Sequence, residues 1–72
     1  MPKSGIYKPK EIINSLKKLG FEIIRTRGSH IQLKKGKNLV TVPFHNKDLS
    51  RITFKSILRQ SGISESELIK NL

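Results

Sequence analysis

One histidine in this chain stands in a setting that suits proton transfer. His30 follows Gly28 and Ser29, and the residues after it alternate between aliphatic Ile31 and Leu33 and polar neighbours. Alternate side chains of a strand face opposite sides, so the aliphatic pair would face a core and His30 would face solvent. Histidine titrates near neutral pH when unperturbed, which suits a general base or acid. His30 is therefore the first candidate for a catalytic residue.

Cationic side chains near His30 could bind an anion. They are Arg25, Arg27, Lys34, Lys35 and Lys37. The 72-residue chain carries 15 Lys and Arg against 5 Asp and Glu, for a formal charge of +10. A field of this sign attracts polyanions, so nucleic acid is the leading class of partner. An acidic protein partner, or a solvated surface with no partner, would fit the same charge.

The acidic residues and histidines are not spaced like a metal site. The five acids are Glu11, Glu22, Asp48, Glu65 and Glu67. No two of them converge by spacing, and His30 and His45 are far apart in sequence. The chain has no cysteine, which excludes disulfides and thiolate zinc sites. With no phosphate-binding glycine loop or serine elbow, the sequence predicts chemistry without metal or cofactor.

RNA is the substrate that suits such chemistry, because its 2′-hydroxyl is an internal nucleophile. His30 would take or give the proton, and the nearby cations would stabilise charge developing on phosphorus. Simpler interpretations stay open. His30 can be an ordinary surface histidine, Gly28 an ordinary turn glycine, and residues 34–37 a solvated hairpin tip. His45, in a polar segment, is a weaker candidate than His30.

The elements that position these residues follow from periodicity and turn residues. A first helix should open at residues 7–9, with Ile12, Ile13, Leu16 and Leu19 as its apolar stripe. Gly20 should end it, with Phe21 folding back on Leu16. Strands are predicted over residues 21–25, 29–34 and 39–42, with short connections at 26–28 and 35–38 and a stop at Pro43. Phe21 and Ile23 should share a face of the first strand.

The remaining residues predict two more helices. Residues 44–51 read as a polar linker, after which Thr53 is the expected cap of a second helix with Phe54, Ile57 and Leu58 buried. Gly62 should end that helix. Ser64 and Glu67 form a capping-box pattern that begins a short last helix.

The predicted fold class is α+β, in the order α-β-β-β-α with a short C-terminal helix. Both main helices should cover one face of an antiparallel three-stranded sheet and leave the other open. We expect a single domain over residues 1–72, with residues 1–6 a flexible basic tail. No segment resembles a signal peptide or a membrane span. Because the chain has no cysteine, a reducing, cytoplasmic location is expected.

Four motifs stand in a distinctive order from about Tyr7 onward. They are Gly20-Phe21, then Gly28-Ser29-His30, then Val40-Thr41-Val42-Pro43 with His45, and finally Ile57-Leu58-Arg59-Gln60-Ser61-Gly62-Ile63-Ser64. Together they resemble the HicA toxin family of type II toxin-antitoxin systems. The resemblance implies a double-stranded-RNA-binding-domain-like fold and a metal-independent endoribonuclease, an mRNA interferase that cleaves messenger RNA. It also implies that His30 is the catalytic histidine and that a HicB-type antitoxin inhibits the toxin.

Two other functions fit the same residues. A non-catalytic double-stranded-RNA-binding module would use Arg51, Lys55 and Arg59 near the second helix to contact phosphates. A protein-interaction domain would use the basic face for an acidic partner. Turnover of RNA distinguishes the nuclease from the non-catalytic RNA-binding module. Competition between an acidic partner and RNA tests whether both bind the same basic face.

Overall fold

The computed structural model describes residues 7–45 and 47–72. The elements are α1 (Pro9–Lys18), β1 (Glu22–Arg27), β2 (His30–Lys35), β3 (Asn38–Pro43), α2 (Arg51–Ser61) and α3 (Glu65–Lys70). This order confirms the predicted α+β class and the double-stranded-RNA-binding-domain-like arrangement. The predicted tail, residues 1–6, lies outside the described residues.

Helix α1 is closed at both ends by short-range hydrogen bonds. At its start, the Glu11 carboxylate accepts from the Lys8 backbone N–H at 2.9 Å. At its end, the Phe21 N–H donates to the Leu16 carbonyl at 3.0 Å, while Gly20 adopts a positive φ of 104°. Phe21 and Leu16 are both buried in the core. The predicted glycine-ended helix with Phe21 folded back is confirmed.

The three strands form one antiparallel sheet in the order β1-β2-β3. Two-residue turns at residues 28–29 and 36–37 connect them, with Gly28 at φ 58° and Gly36 at φ 59°. A glycine with positive φ at the first turn position suits a tight hairpin. Because the first turn is so tight, Thr26 and Arg27 pair with β2 instead of forming a connection. The prediction that β1 ends at residue 25 was therefore too short.

Both main helices pack on the same sheet face, as predicted. That face carries Leu33, Val40 and Val42, which are fully buried. They join one core cluster with Leu16 of α1 and Phe54 of α2. The opposite face of the sheet has neither of these helices against it.

A β-bulge interrupts β1 after Ile23. Phe21 lies just before the strand and is buried, and Ile23 pairs with the buried Leu33 but stays 43% exposed in this edge strand. The pairing with β2 then shifts between Ile23 and Arg25. Such a bulge inserts an extra residue, so a strict period of two does not carry past Ile23 to Arg25 and Arg27.

Helix α2 begins earlier than predicted, because Ser50 rather than Thr53 is its cap. The Ser50 hydroxyl accepts from the Thr53 N–H at 3.1 Å. Leu49 before the cap and Phe54 in the first turn are both buried, the positions at which apolar residues fix a helix entry. The segment 44–51 is therefore not uniformly polar.

The C-terminal elements follow the prediction closely. Gly62 ends α2 in the left-handed conformation at φ 71°. Ser64 then caps α3, and its hydroxyl accepts from the Glu67 N–H at 3.2 Å. The buried Ser15 hydroxyl donates to the Leu68 carbonyl at 2.5 Å, which joins α1 to α3.

Candidate active site

His30 is the first residue of β2 and is exposed. Its cross-strand partners are Arg27 in β1 and Pro43 in β3. Directly paired residues of antiparallel strands project to the same side, opposite to Ile31 and Leu33. His30 therefore lies on the sheet face that α1 and α2 leave open, where alternation predicted it.

We define the open face by its nine register positions across the three strands. These are Glu22, Arg25 and Arg27 in β1, His30, Gln32 and Lys34 in β2, and Leu39, Thr41 and Pro43 in β3. Cations outnumber acids here by three to one, if His30 is neutral. An extended polyanion could lie across this face with His30 at one end.

Two arginines lie closest to His30 in the sheet register. Arg27 is directly opposite His30, and Arg25 is opposite Gln32 on the same face. Directly opposed residues have Cα atoms roughly 4.5–5.5 Å apart. The planar guanidinium group can bind phosphate oxygens in pairs, so it orients a phosphate as well as attracting it. The pairing thus brings a side chain that can bind phosphate beside one that can transfer a proton.

The three predicted lysines are spread over the molecule. Lys34 is on the open face four residues beyond His30, about 13 Å along the strand. Lys35 is on the other face, and its ammonium donates to the Leu19 carbonyl at 2.7 Å at the end of α1. Lys37 sits in the second turn, at the far end of the sheet from His30. Arg25, Arg27 and Lys34 are therefore grouped with His30, whereas Lys35 and Lys37 are not.

The turn before His30 is anchored to the end of β3. The Phe44 N–H donates to the Ser29 carbonyl at 2.5 Å. A Cβ placed on Gly28 would meet no heavy atom within 4 Å, so glycine is needed there for its positive φ and not for space. The turn consequently holds His30 at a defined place beside the residues that follow Pro43.

The structure brings the second histidine, His45, to the candidate site. It is exposed and follows Phe44, so the bond between Phe44 and Ser29 brings it to the same end of the sheet as His30. Its Nδ1 accepts from the Lys47 backbone N–H at 3.2 Å. The signal in the sequence was Pro43: a strand stop paired with the start of β2 would have put the two histidines together.

The basic side chains of α2 form a separate surface. Arg51, Lys55 and Arg59 are exposed at four-residue intervals, which places them along one side of the helix. Arg51 also bonds the Glu65 carboxylate at 3.3 Å and lies 5.4 Å from the centre of the Phe54 ring. Lys55 and Arg59 have no ion pair among the described residues.

The described residues offer no ready metal site. Across residues 7–45 and 47–72, no group of three or more His, Cys, Asp or Glu side chains is placed to hold an ion. Metal-free chemistry remains a prediction from the residue types. No helix in the same part of the chain is long and apolar enough to cross a membrane.

Fold and surface together define a small basic α+β protein with one histidine on an open, cationic sheet face. The family model described as "HicA toxin of bacterial toxin-antitoxin" matches residues 9–63, and the chain belongs to this family. Membership implies a toxin role, an antitoxin partner and RNA as the substrate class. No individually curated protein matches the chain.

Proposed function

We propose that this toxin is a metal-independent endoribonuclease that cleaves messenger RNA, with His30 as its catalytic general base or acid. The observation that carries the proposal is the pairing of His30 with Arg27 on the open sheet face. Gly28 and Ser29 support the histidine by forming the turn before it. Arg25, Arg27 and Lys34 bind the RNA backbone.

The reaction uses the 2′-hydroxyl of the RNA itself. His30 removes the 2′-proton, and the 2′-oxygen attacks the adjacent phosphorus. The bond from phosphorus to the 5′-oxygen breaks, and that oxygen takes a proton from water. The hydroxide left by that water takes the proton from His30, which returns the histidine to its starting state. The products are a 2′,3′-cyclic phosphate and a 5′-hydroxyl. DNA lacks the 2′-hydroxyl and is not cut.

Arginine side chains supply the positive charge that a metal ion supplies in other nucleases. Negative charge accumulates on the non-bridging oxygens as the 2′-oxygen attacks. Arg27 beside His30 stabilises this charge, and Arg25 and Lys34 hold the neighbouring phosphates. Phosphate contacts of this kind attract any RNA sequence, because the backbone is common to all of them.

A HicB-type antitoxin inhibits the toxin by covering the open face. The strong positive charge of the chain suits an acidic surface on that partner. RNA and antitoxin then compete for Arg25, Arg27 and His30. Simultaneous binding of both without interference would contradict occlusion. A complex of this kind and an RNA substrate both fit a cytoplasmic location.

The decisive experiment compares wild type with His30→Ala on an RNA oligonucleotide in the presence of EDTA. We expect wild type to cleave with EDTA present and the variant to lose cleavage while still binding RNA. Lys37→Ala, at the far end of the sheet, is the matched control and should cleave normally. Full cleavage by His30→Ala, or loss of wild-type cleavage in EDTA, would contradict the mechanism.

A non-catalytic double-stranded-RNA-binding module is the alternative function. The exposed Lys55 and Arg59 on α2 favour it, because they can contact duplex phosphates away from His30. This function predicts duplex binding without turnover and no toxicity on expression. Growth arrest by wild type but not by His30→Ala would exclude it.

A further inference from the structure

We propose that His45 is a further phosphate-contacting residue, whose Nε2–H donates a hydrogen bond to a non-bridging oxygen of the phosphate being cleaved. The inference rests on the proposed nuclease function and names a group that assists His30. In this proposal the two histidines have different roles: His30 transfers a proton, and His45 stabilises the negative charge on the phosphate.

The backbone places His45 close enough for this role. Pro43 pairs with His30, and the next residue, Phe44, is bonded through its N–H to the Ser29 carbonyl. From these two connections and standard backbone spacings, the Cα atoms of His30 and His45 lie within about 13 Å of each other. Both imidazoles extend beyond their Cα atoms and both residues are exposed. A single phosphate can therefore contact both rings.

One hydrogen bond fixes which nitrogen of His45 can donate. Nδ1 accepts from the Lys47 N–H at 3.2 Å, so it carries no proton while that bond is made. The neutral ring must then carry its proton on Nε2, the other ring nitrogen. In this state His45 is a donor and cannot serve as a base through Nε2.

A donor set in place before the reaction suits the charge that develops on phosphorus. The His45 ring is already bonded to the Lys47 N–H, and Phe44 before it to the Ser29 carbonyl, so little reorganisation of His45 is needed when the 2′-oxygen attacks. The hydrogen bond to a non-bridging oxygen strengthens as negative charge grows there. No proton leaves His45, and the proton taken by His30 passes to the hydroxide that forms when water protonates the 5′-oxygen.

Two substitutions separate the two ring nitrogens. In His45→Asn, Oδ1 stands near the place of Nδ1 and can accept the Lys47 N–H, but nothing occupies the place of Nε2. In His45→Gln, the amide N–H stands near the place of Nε2, while the acceptor at Nδ1 is lost. We expect His45→Asn to lower the rate of RNA cleavage about 10²-fold. We expect His45→Gln to stay within about tenfold of wild type, since it keeps a donor.

A sulfur substitution in the RNA tests the contact directly, because a purely structural role of His45 would not change how much sulfur slows cleavage. Sulfur in place of the contacted non-bridging oxygen weakens the hydrogen bond, so wild type should slow more than His45→Asn does. Equal thermal midpoints for the variants and wild type would show that folding is intact. Equal sulfur effects in wild type and His45→Asn would contradict the proposed contact.

The outcomes distinguish this inference from the function on which it rests. If His45→Asn cleaves RNA at the wild-type rate while His30→Ala is inactive, the proposed nuclease function stands and the proposed role of His45 is wrong. Equal, large losses in both His45 variants would overturn the fixed-donor role. No cleavage by wild type, or full cleavage by His30→Ala, would overturn the nuclease and this inference together.

Discussion

His30 of β2 is paired directly with Arg27 of β1, so the candidate base and the nearest guanidinium project from the same sheet face. The pair is made by a two-residue turn, which brings residues three apart in sequence into opposite positions of a ladder. A longer connection would have separated them. The tight hairpin between β1 and β2 therefore brings the two residues of the candidate site together.

Replacing Arg27 tests this pairing. We expect Arg27→Ala to lower kcat/KM for RNA cleavage about 10²-fold, because it removes charge stabilisation beside the attacked phosphorus. The kcat/KM of Arg27→Lys should lie between those of wild type and Arg27→Ala, since lysine keeps the charge but loses the paired donors. In binding assays, the slope of log affinity against log salt should decrease by roughly 0.7 for each lost contact to single-stranded RNA.

Arg59→Ala is the control for charge alone. Arg59 is exposed on α2, away from the open face, so its loss should leave cleavage and the salt slope nearly unchanged. Equal effects of Arg27→Ala and Arg59→Ala would mean that net charge, and not the sheet face, directs RNA binding. A greater loss of duplex binding in Arg59→Ala than in Arg27→Ala, with no turnover by wild type, would favour the double-stranded-RNA-binding alternative.

Gly28→Ala and Gly36→Ala form a matched pair of turn variants. Both glycines have nearly the same positive φ and open space around an added Cβ. Each substitution should lower the free energy of unfolding by about 1–2 kcal/mol, from backbone strain alone. Only Gly28→Ala should also slow RNA cleavage, because only that turn positions His30. Chemical denaturation and a cleavage assay on the same samples check both parts, and equal slowing by Gly36→Ala would contradict the positioning role.

Neighbouring Lys34 and Lys35 should behave differently when each is replaced by alanine. Lys34 is on the open face, so Lys34→Ala should weaken RNA binding and leave stability nearly unchanged. Lys35 bonds the Leu19 carbonyl at the negative end of α1. Lys35→Ala should lower the free energy of unfolding by about 0.5–1 kcal/mol and leave RNA binding near wild type. Reversed effects would contradict the positions of the two lysines on opposite faces of β2.

Gln60 protects the outer edge of β3. Its side-chain oxygen accepts from the Thr41 backbone N–H at 2.9 Å. Gln60→Ala leaves that N–H without its partner and should lower the free energy of unfolding by about 1–2 kcal/mol. Gln60→Glu keeps an acceptor and should lose less. Urea denaturation of the two variants makes the comparison, and equal losses would show that packing, not the hydrogen bond, is what Gln60 contributes.

The sequence was sufficient for the order and type of the elements. Helical stripes, glycine ends and strand alternation are local signals, and each was strong here. The same alternation put His30 and Lys34 on one face and Leu33 on the other. Two boundaries were misplaced for different reasons. The end of β1 was set too early because the turn at 28–29 is shorter than expected. The start of α2 was set too late because Ser50 and Thr53 are both acceptable caps, and Ser50 is the one that follows the buried Leu49.

The candidate site was less accessible from the sequence, because its parts are far apart along the chain. Residue types alone determined that His30 suits proton transfer, that the chain attracts polyanions and that metal ligands are sparse. Only the tertiary structure decided that Lys35 turns toward α1, and that the bond between Phe44 and Ser29 brings His45 to the His30 end of the sheet. Both outcomes depend on strand register and on contacts between separate elements, which a local pattern of residues does not encode.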